Sequence, residues 1–251
     1  MLNGKTVLVS GAGGGIGRAL VRCLREAGAS VIGADRDADM LAGLDLAGTV
    51  LFDQSDAKAT RAAVQLHLDE NGAPDAVIAN AGWTRAEIIE DLDDDVWDTE
   101  LAINLNGAFA LVDPVVAAMA RQGRGSVVFI SSVNALSHFG NPAYSAAKAG
   151  LIAYAKAIAV ERGRDGVRAN VVAPGSVRTP AWDHRLQADP SLLDRVLPHY
   201  PLGRMVSPEE VANAALFYCS PMSSGITGTV LPVDAGLTAG NLRFVDEVLR
   251  Q

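Results

Sequence analysis

Short apolar runs rich in Val, Ile and Leu alternate along the chain with longer stretches whose apolar residues recur every three or four positions. Thr6-Val7-Leu8-Val9, Ser30 to Ala34, Thr49 to Phe52, Ala76 to Ala79, Ser126 to Ile130, Arg168 to Val172 and Gly228 to Val233 read as seven strands. Helices are predicted around 16–27, 57–70, 95–121, 143–162 and 208–219. Runs that are apolar throughout belong to strands covered on both faces. The alternation therefore predicts an α/β domain, a doubly wound parallel sheet flanked by helices. No linker, internal repeat or low-complexity tract interrupts it, so residues 1–251 are expected to form one domain. Only residues 176–206 break the alternation. They hold several prolines and no clear strand, with Trp182, His184, Leu186, Leu197 and Tyr200 offering apolar and polar faces. An insertion after the carboxyl end of a strand is where such a sheet carries a substrate loop. A lid is expected here, against the plainer reading of two short surface helices.

The charge balance removes some functions. A net charge of −8 argues against nucleic acid as a partner, since phosphate binding needs a basic surface. The acidic run Glu90-Asp91-Leu92-Asp93-Asp94-Asp95 reads as a solvated loop entering a helix, where carboxylates suit the helix dipole, and no metal site is expected. Cys23 and Cys219 form no C-x-x-C and fit buried thiols in a reducing compartment. Met1 to Lys5 lead straight into the first strand, leaving no room for a signal peptide. No apolar stretch reads as long enough to span a bilayer. No membrane partner and a cytoplasmic location are the expectations.

Two local patterns carry chemistry. Ser10-Gly11-Ala12-Gly13-Gly14-Gly15-Ile16-Gly17 lies between the first strand and the first helix. Glycines there let the backbone turn tightly and approach a pyrophosphate, while the helix start offers free N–H groups. With Asp35 closing the second strand, this context specifies a Rossmann-type dinucleotide site. A carboxylate at that place accepts hydrogen bonds from ribose hydroxyls and repels a 2′-phosphate, which favours NAD; Arg36 beside it keeps NADP as the alternative. The second pattern is Tyr144-Ser145-Ala146-Ala147-Lys148. Positions i and i+4 share a helix face, so a phenol and an ammonium converge, and a nearby cation favours the phenolate. Such a pair can take a proton from an alcohol or return one to a carbonyl.

Taken with these, further motifs make the chain resemble the classical short-chain dehydrogenases/reductases from about residue 4 to 238. The glycine loop resembles that family's T-G-x-x-x-G-x-G with Ser10 for Thr, and Ala79-Asn80-Ala81-Gly82 its N-N-A-G with Ala79 for Asn. Ile103 to Gly107 resembles the segment of the catalytic Asn, Ile130-Ser131-Ser132 the strand end with the catalytic Ser, and Pro174 to Thr179 the P-G-x-x-x-T motif. Val233-Asp234-Ala235-Gly236 departs from V-D-G-G, which puts a tail turn in doubt.

The resemblance implies roles. Tyr144 would be the general acid/base, and Lys148 would lower its pKa and hold the nicotinamide ribose. Asn104 would keep a relay water, as an amide can donate and accept at once. Ser132 would steady the substrate oxygen, with Ser131 its rival. Gly11, Gly15, Ile16, Gly17, Asp35, Arg36, Asp53, Gln54, Asn80, Ala81, Gly82, Pro174, Gly175, Val177 and Thr179 would line the cofactor, together with Tyr144 and Lys148. Trp83, Asn134, His138, Asn141, Trp182 and His184, with Arg185, flank the expected site and suit a sugar, polyol or hydroxy acid. The expected reaction is NAD-dependent interconversion of a secondary alcohol and its ketone. The alternatives are an NADPH-dependent 3-oxoacyl-type reductase and a non-catalytic nucleotide-binding protein. The resemblance also implies a homotetramer, paired through the helices at 95–121 and 143–162.

Overall fold

A computed structural model describes residues 1–85 and 88–250. Seven strands form one sheet: β1 (Thr6–Ser10), β2 (Ser30–Asp35), β3 (Gly48–Leu51), β4 (Ala76–Ala79), β5 (Gly125–Ile130), β6 (Val167–Pro174) and β7 (Val230–Val233). All neighbours are parallel and the order is β3-β2-β1-β4-β5-β6-β7. The chain winds outward from β1 to β3, then returns to pair β4 with β1 and winds the other way. That reversal opens a crevice at the carboxyl ends of β1 and β4. Ser10, Asp35, Ala79, Ile130 and Pro174 are the last residues of their strands and rim this end of the sheet.

The helices are α1 (Gly15–Glu26), α2 (Ala38–Leu41), α3 (Ala57–Asn71), α4 (Asp94–Leu101), α5 (Gly107–Gln122), α6 (Pro142–Arg162), α7 (Pro180–Ala188), α8 (Leu192–Val196), α9 (Pro208–Cys219) and α10 (Leu242–Phe244). Because the central strands β2, β1, β4, β5 and β6 are buried on both faces, there are two cores. Leu20 and Leu24 of α1 meet Val211, Ala215 and Tyr218 of α9 on one face. Val64 and Leu68 of α3, Leu111, Val115 and Met119 of α5, and Leu151 and Ile158 of α6 fill the other. Helix starts follow local chemistry: Asp56 accepts from Lys58 N and Ala59 N at 3.0 and 2.9 Å, and Ser207 with Glu210 forms a capping box on α9.

The helix expected at 95–121 runs from Asp94 to Gln122 with a widened turn inside it, Ala102–Asn106, where Gly107 N bonds back to Ala102 O. Glu100 O instead accepts the Asn104 side-chain amide at 2.9 Å. Such π-turns sit at functional positions in helices, and this one holds Asn104. This 29-residue helix is apolar enough by length and composition to cross a membrane, which amends the expectation that no stretch is. More than half of its most apolar window is buried in the domain core.

Residues 176–206 leave the sheet and return through a narrow neck. Val177 bridges Val206, Arg178 N donates to Val206 O at 2.8 Å, and Val206 N donates to Ser176 O at 3.0 Å. The excursion is a pair of short helices, α7 and α8. Ala235, the departure in the tail motif, takes a left-handed φ of 53°, and Asp234 holds that turn by accepting from Gly236 N and Thr238 N at 3.0 and 2.8 Å.

The π-turn is pinned from the β3 side. Gln54 Nε2 donates to Ile103 O at 2.8 Å and Ala81 O at 3.2 Å, and a Cβ on Gly107 would stand 2.0 Å from Gln54 O. Gly107→Ala is therefore expected to destabilise the fold by about 1–3 kcal/mol through overpacking, read as a lower urea midpoint at unchanged slope.

Candidate active site

Two adjoining clefts of about 870 and 760 Å³ open at the carboxyl ends of the strands and share Ile16, Asn80, Gly82, Trp83 and Thr179. The second is walled by the glycine loop, Asp35, Arg36, Asp53, Gln54 and Ala81. Gly11 has φ 62°, and a Cβ on it would lie 2.8 Å from Ala81 Cα; one on Gly17 would lie 1.9 Å from Gly11 O. Helix α1 begins with no side-chain cap and no acidic residue in its first turn, so its N–H groups face the cleft unneutralised. A pyrophosphate fits that cradle. Asp35 Oδ2 accepts from Gly13 N at 3.0 Å, and Arg18 donates to Gly13 O and Met40 O at 2.9 and 2.7 Å. Asp53 also reaches this cleft, its carboxyl held below its ordinary pKa by hydrogen bonds from Ser55. Gln54 lines this cleft as expected; its Nε2 is spent as the staple to Ala81 and Ile103, while its Oε1 is buried without a hydrogen-bond partner among the described residues.

Ser10 makes the turn contact expected of Thr. Its hydroxyl accepts from Asn80 N and Ala81 N, both at 3.1 Å, while Asn80 Nδ2 donates to Ser10 O and Gly11 O. Asn80 thus stands between the clefts as structure as well as lining.

The first cleft gathers Ser132, Tyr144 and Lys148 with Pro174, Gly175, Val177 and Thr179. Ser131 and Ser132 separate cleanly. Ser131 Oγ donates to Lys148 O at 2.9 Å and is spent on the fold, whereas the Ser132 hydroxyl bonds Tyr144 and Asn134. Lys148 is 3% exposed; its Nζ donates to Ile130 O at 2.9 Å and lies 5.4 Å from the centre of the Tyr144 ring. Asn104 is fully buried. Its Nδ2 donates to Trp83 O, Glu100 O and Glu100 Oε2 at 2.7, 2.9 and 2.9 Å, and its Oδ1 accepts from Trp83 N at 3.1 Å. Both amide hydrogens are consumed inside the protein. The expected water-holding donor is therefore absent, and only oxygen lone-pair capacity remains.

Of the expected substrate-facing residues, Trp83, Asn134, Asn141 and Trp182 line the cleft. His138 and His184 are exposed and lie outside its lining. The helical period explains His184: Trp182 and Arg185, three apart on α7, share the inward face, and position 184 falls on another. Phe139, Thr84, Arg195 and His199 line the cleft as well and carried no sequence signal beyond their neighbourhood.

Comparison with known proteins decides what this arrangement belongs to. A family model described as enoyl-(acyl carrier protein) reductase matches residues 11–238. An uncharacterized oxidoreductase of Schizosaccharomyces pombe is 40% identical over 98% of this chain and 96% of its own length. A 3-oxoacyl-(acyl-carrier-protein) reductase of Thermotoga maritima is 35% identical over 94% and 98%. A short-chain dehydrogenase/reductase of Burkholderia thailandensis superposes with TM-score 0.90 at 42% identity, covering 98% of each chain. The chain belongs to the classical short-chain dehydrogenases/reductases. A gluconate 5-dehydrogenase of Burkholderia cenocepacia, solved with NADP and tartrate, has TM-score 0.88 at 30% identity over 95% and 97%.

For a short-chain dehydrogenase/reductase the electrostatics of the pair matter most. Burial pushes the Tyr144 phenol up to about 12; the Ser132 hydrogen bond pulls the other way, and the Glu100 carboxylate adds to the rise. The Lys148 ammonium lies 5.4 Å from the ring centre and donates to Ile130 O. The lowering of the phenol pKa by Lys148 that the resemblance implies is not among the effects acting on Tyr144, which are burial, Ser132 and Glu100. Burial brings Lys148 itself down to about 8, with Glu100 opposing. A lysine depressed on folding costs stability wherever it is protonated in both states. That cost fades as pH rises from 8 toward the ordinary value of 10.5. The stability of wild type relative to Lys148→Met should therefore rise by about 2–3 kcal/mol between pH 7 and 10, measured by urea unfolding at each pH. A flat difference would contradict the buried ammonium.

Proposed function

We propose that the protein interconverts a secondary alcohol and its ketone with NAD, and that the substrate is a small hydroxy acid. The observation that carries the reaction is the convergence of Ser132, Tyr144 and Lys148 in a cleft continuous with the nucleotide cradle. The nicotinamide, when bound, accepts or supplies the hydride. Everything else falls to the chain. The glycine loop and the start of α1 hold the diphosphate, Asp35 the adenosine ribose, and Lys148 the nicotinamide ribose. Ser132 steadies the substrate oxygen, and Tyr144 Oη takes its proton in oxidation or returns it in reduction. A pure nucleotide-binding protein has no need of this set. The preference for NAD is supported by Asp35 at the tip of β2 and by Arg18, whose guanidinium is tied to backbone carbonyls rather than open to a phosphate.

The substrate class is supported by charge. In a chain of net charge −8, the described residues lining the catalytic cleft include Lys148, Arg185, Arg195 and His199 and no carboxylate. Arg195 is paired with Asp189, but Arg185 stacks on Trp182, its guanidinium 4.5 Å from the ring centre. A planar cation held by an aromatic face suits a carboxylate. On this reading residues 176–206 act as the substrate lid. Self-association through α5 and α6 is part of the same proposal, supported by the exposed Phe109 and Val160.

A second reading, a 3-oxoacyl-type reductase, is favoured by the named activity of the Thermotoga relative. A panel of hydroxy acids, polyols, sugars and 3-hydroxyacyl thioesters, each offered with NAD and NADP, separates the two. Hydroxy-acid turnover with NAD is expected; thioester turnover with a clear NADP preference would select the second. Tyr144→Phe should lower kcat by roughly 10²–10⁴-fold with cofactor binding unchanged, and full retained activity would end the catalytic assignment. Arg185→Met should cost roughly 10–100-fold in kcat/KM for the free acid and leave its methyl ester unaffected. Equal losses on both would remove Arg185 from recognition.

A further inference from the structure

Glu100 is a carboxylate that the surface of a helix does not need. It sits on α4 four residues after buried Val96 and four before Asn104, and is 2% exposed. Oε1 accepts from Arg85 N at 3.0 Å, Oε2 accepts from Asn104 Nδ2 at 2.9 Å, and the Thr84 hydroxyl donates as well. Burial holds its carboxyl above the ordinary value, while the hydrogen bonds from Arg85 N and Thr84, the Lys148 ammonium on α6 and the Asn104 amide pull it back; its charge acts in turn on Lys148 and Tyr144 of α6. From the loop after β4, Arg85 meets it through the main chain while its guanidinium reaches Asp93 at 3.9 Å. Desolvating a carboxylate costs several kcal/mol, and a merely structural bond to Asn104 needs no charge.

An ionised carboxylate only accepts hydrogen bonds. Facing Asn104, it dictates which end of the amide points inward: Nδ2 toward Glu100, and Oδ1 toward Gly82. A Cβ on Gly82 would meet Asn104 Oδ1 at 2.8 Å and Lys148 Nζ at 3.2 Å, so the amide oxygen and the ammonium crowd over the same glycine. Reversing the amide would turn its hydrogens toward the ammonium and toward Trp83 N. We infer that Glu100 is a positioning residue for the proton chemistry: it locks Asn104 with its oxygen toward Lys148 and supplies the counter-charge that keeps Lys148 an ammonium during turnover. The role rests on the Tyr144–Lys148 reaction proposed above.

The test is a titration of Lys148 in the full chain carrying ¹³C-labelled lysine, with and without NAD, its signal assigned by loss in Lys148→Met. Glu100→Gln keeps the shape and removes the charge, so the Lys148 midpoint should fall by at least about half a unit, roughly threefold in proton affinity. The high-pH limb of kcat/KM should move the same way. Glu100→Asp keeps the charge and should stay near wild type. An unmoved Lys148 in Glu100→Gln, or equal shifts in both variants, would overturn the inference. Should Glu100→Gln not fold, ¹³Cδ-labelled glutamate in the wild type provides the same answer. The Glu100 carboxyl signal should step at the pH where Lys148 titrates, and the step should vanish in Lys148→Met; no step overturns the inference. These titrations need no turnover. They therefore report on Glu100 even where Tyr144→Phe retains activity and the proposed reaction itself fails.

Discussion

The Ser10 hydroxyl, wedged between the ends of β1 and β4, is the contact on which the site depends. Only at that reversal of strand order does the sheet leave a crevice, and two backbones must close in on it without filling it. Ser10 Oγ accepts the N–H groups of both Asn80 and Ala81, and Asn80 returns its amide to Ser10 O and Gly11 O. Gly11 can then sit against Ala81 with no room for a Cβ. The chain leaving this clamp runs through Gly82, over which Asn104 and Lys148 meet, and then Trp83, whose main chain grips the Asn104 amide at both ends. One hydroxyl thus fixes the dinucleotide cradle and the catalytic end together.

The second constraint is electrical. Lys148, Glu100 and Asn104 are polar groups buried in one small volume, each satisfied by named partners. Ile130 O accepts from Lys148 Nζ and Ser131 Oγ donates to Lys148 O, so the end of β5 and α6 are joined twice at this residue. A site arranged this way is preorganised, since its dipoles need little movement when charge shifts. The cost appears as a lysine driven well below its ordinary pKa. Stability has been exchanged for a fixed ammonium beside a phenol.

Much of this was legible along the chain because its causes are local. Apolar runs place the strands, Gly11, Gly15 and Gly17 place the cradle, and the four-residue spacing of Tyr144 and Lys148 places the pair on one helix face. What escaped has causes that are distant in sequence. The π-turn at Ala102–Asn106 arises from an amide replacing a main-chain partner and from Gln54 approaching Gly107, about fifty residues away. Glu100 lies beyond the acidic run at 90–95 and carried no signal of its own, and only the fold shows it on the buried face with Val96 one turn before it. His138 and His184 carried chemical promise by residue type, but the pitch of α7 turns 184 aside and brings 185 inward.

That last case shows how charge and geometry divide the work in an acidic protein. Overall negative charge repels anions at long range, yet salt screens such fields within about 8–10 Å. The cleft lining decides short-range recognition, and its described residues hold cations without a carboxylate among them. Two acids of residues 176–206 are paired, Asp183 with Arg178 and Asp189 with Arg195, and neither carboxylate lines the cleft. Arg185 is left to the aromatic face of Trp182, which orients a guanidinium without neutralising it. A short helix with mixed charges can therefore present a single cation to the cleft, and sequence composition alone averages that asymmetry away.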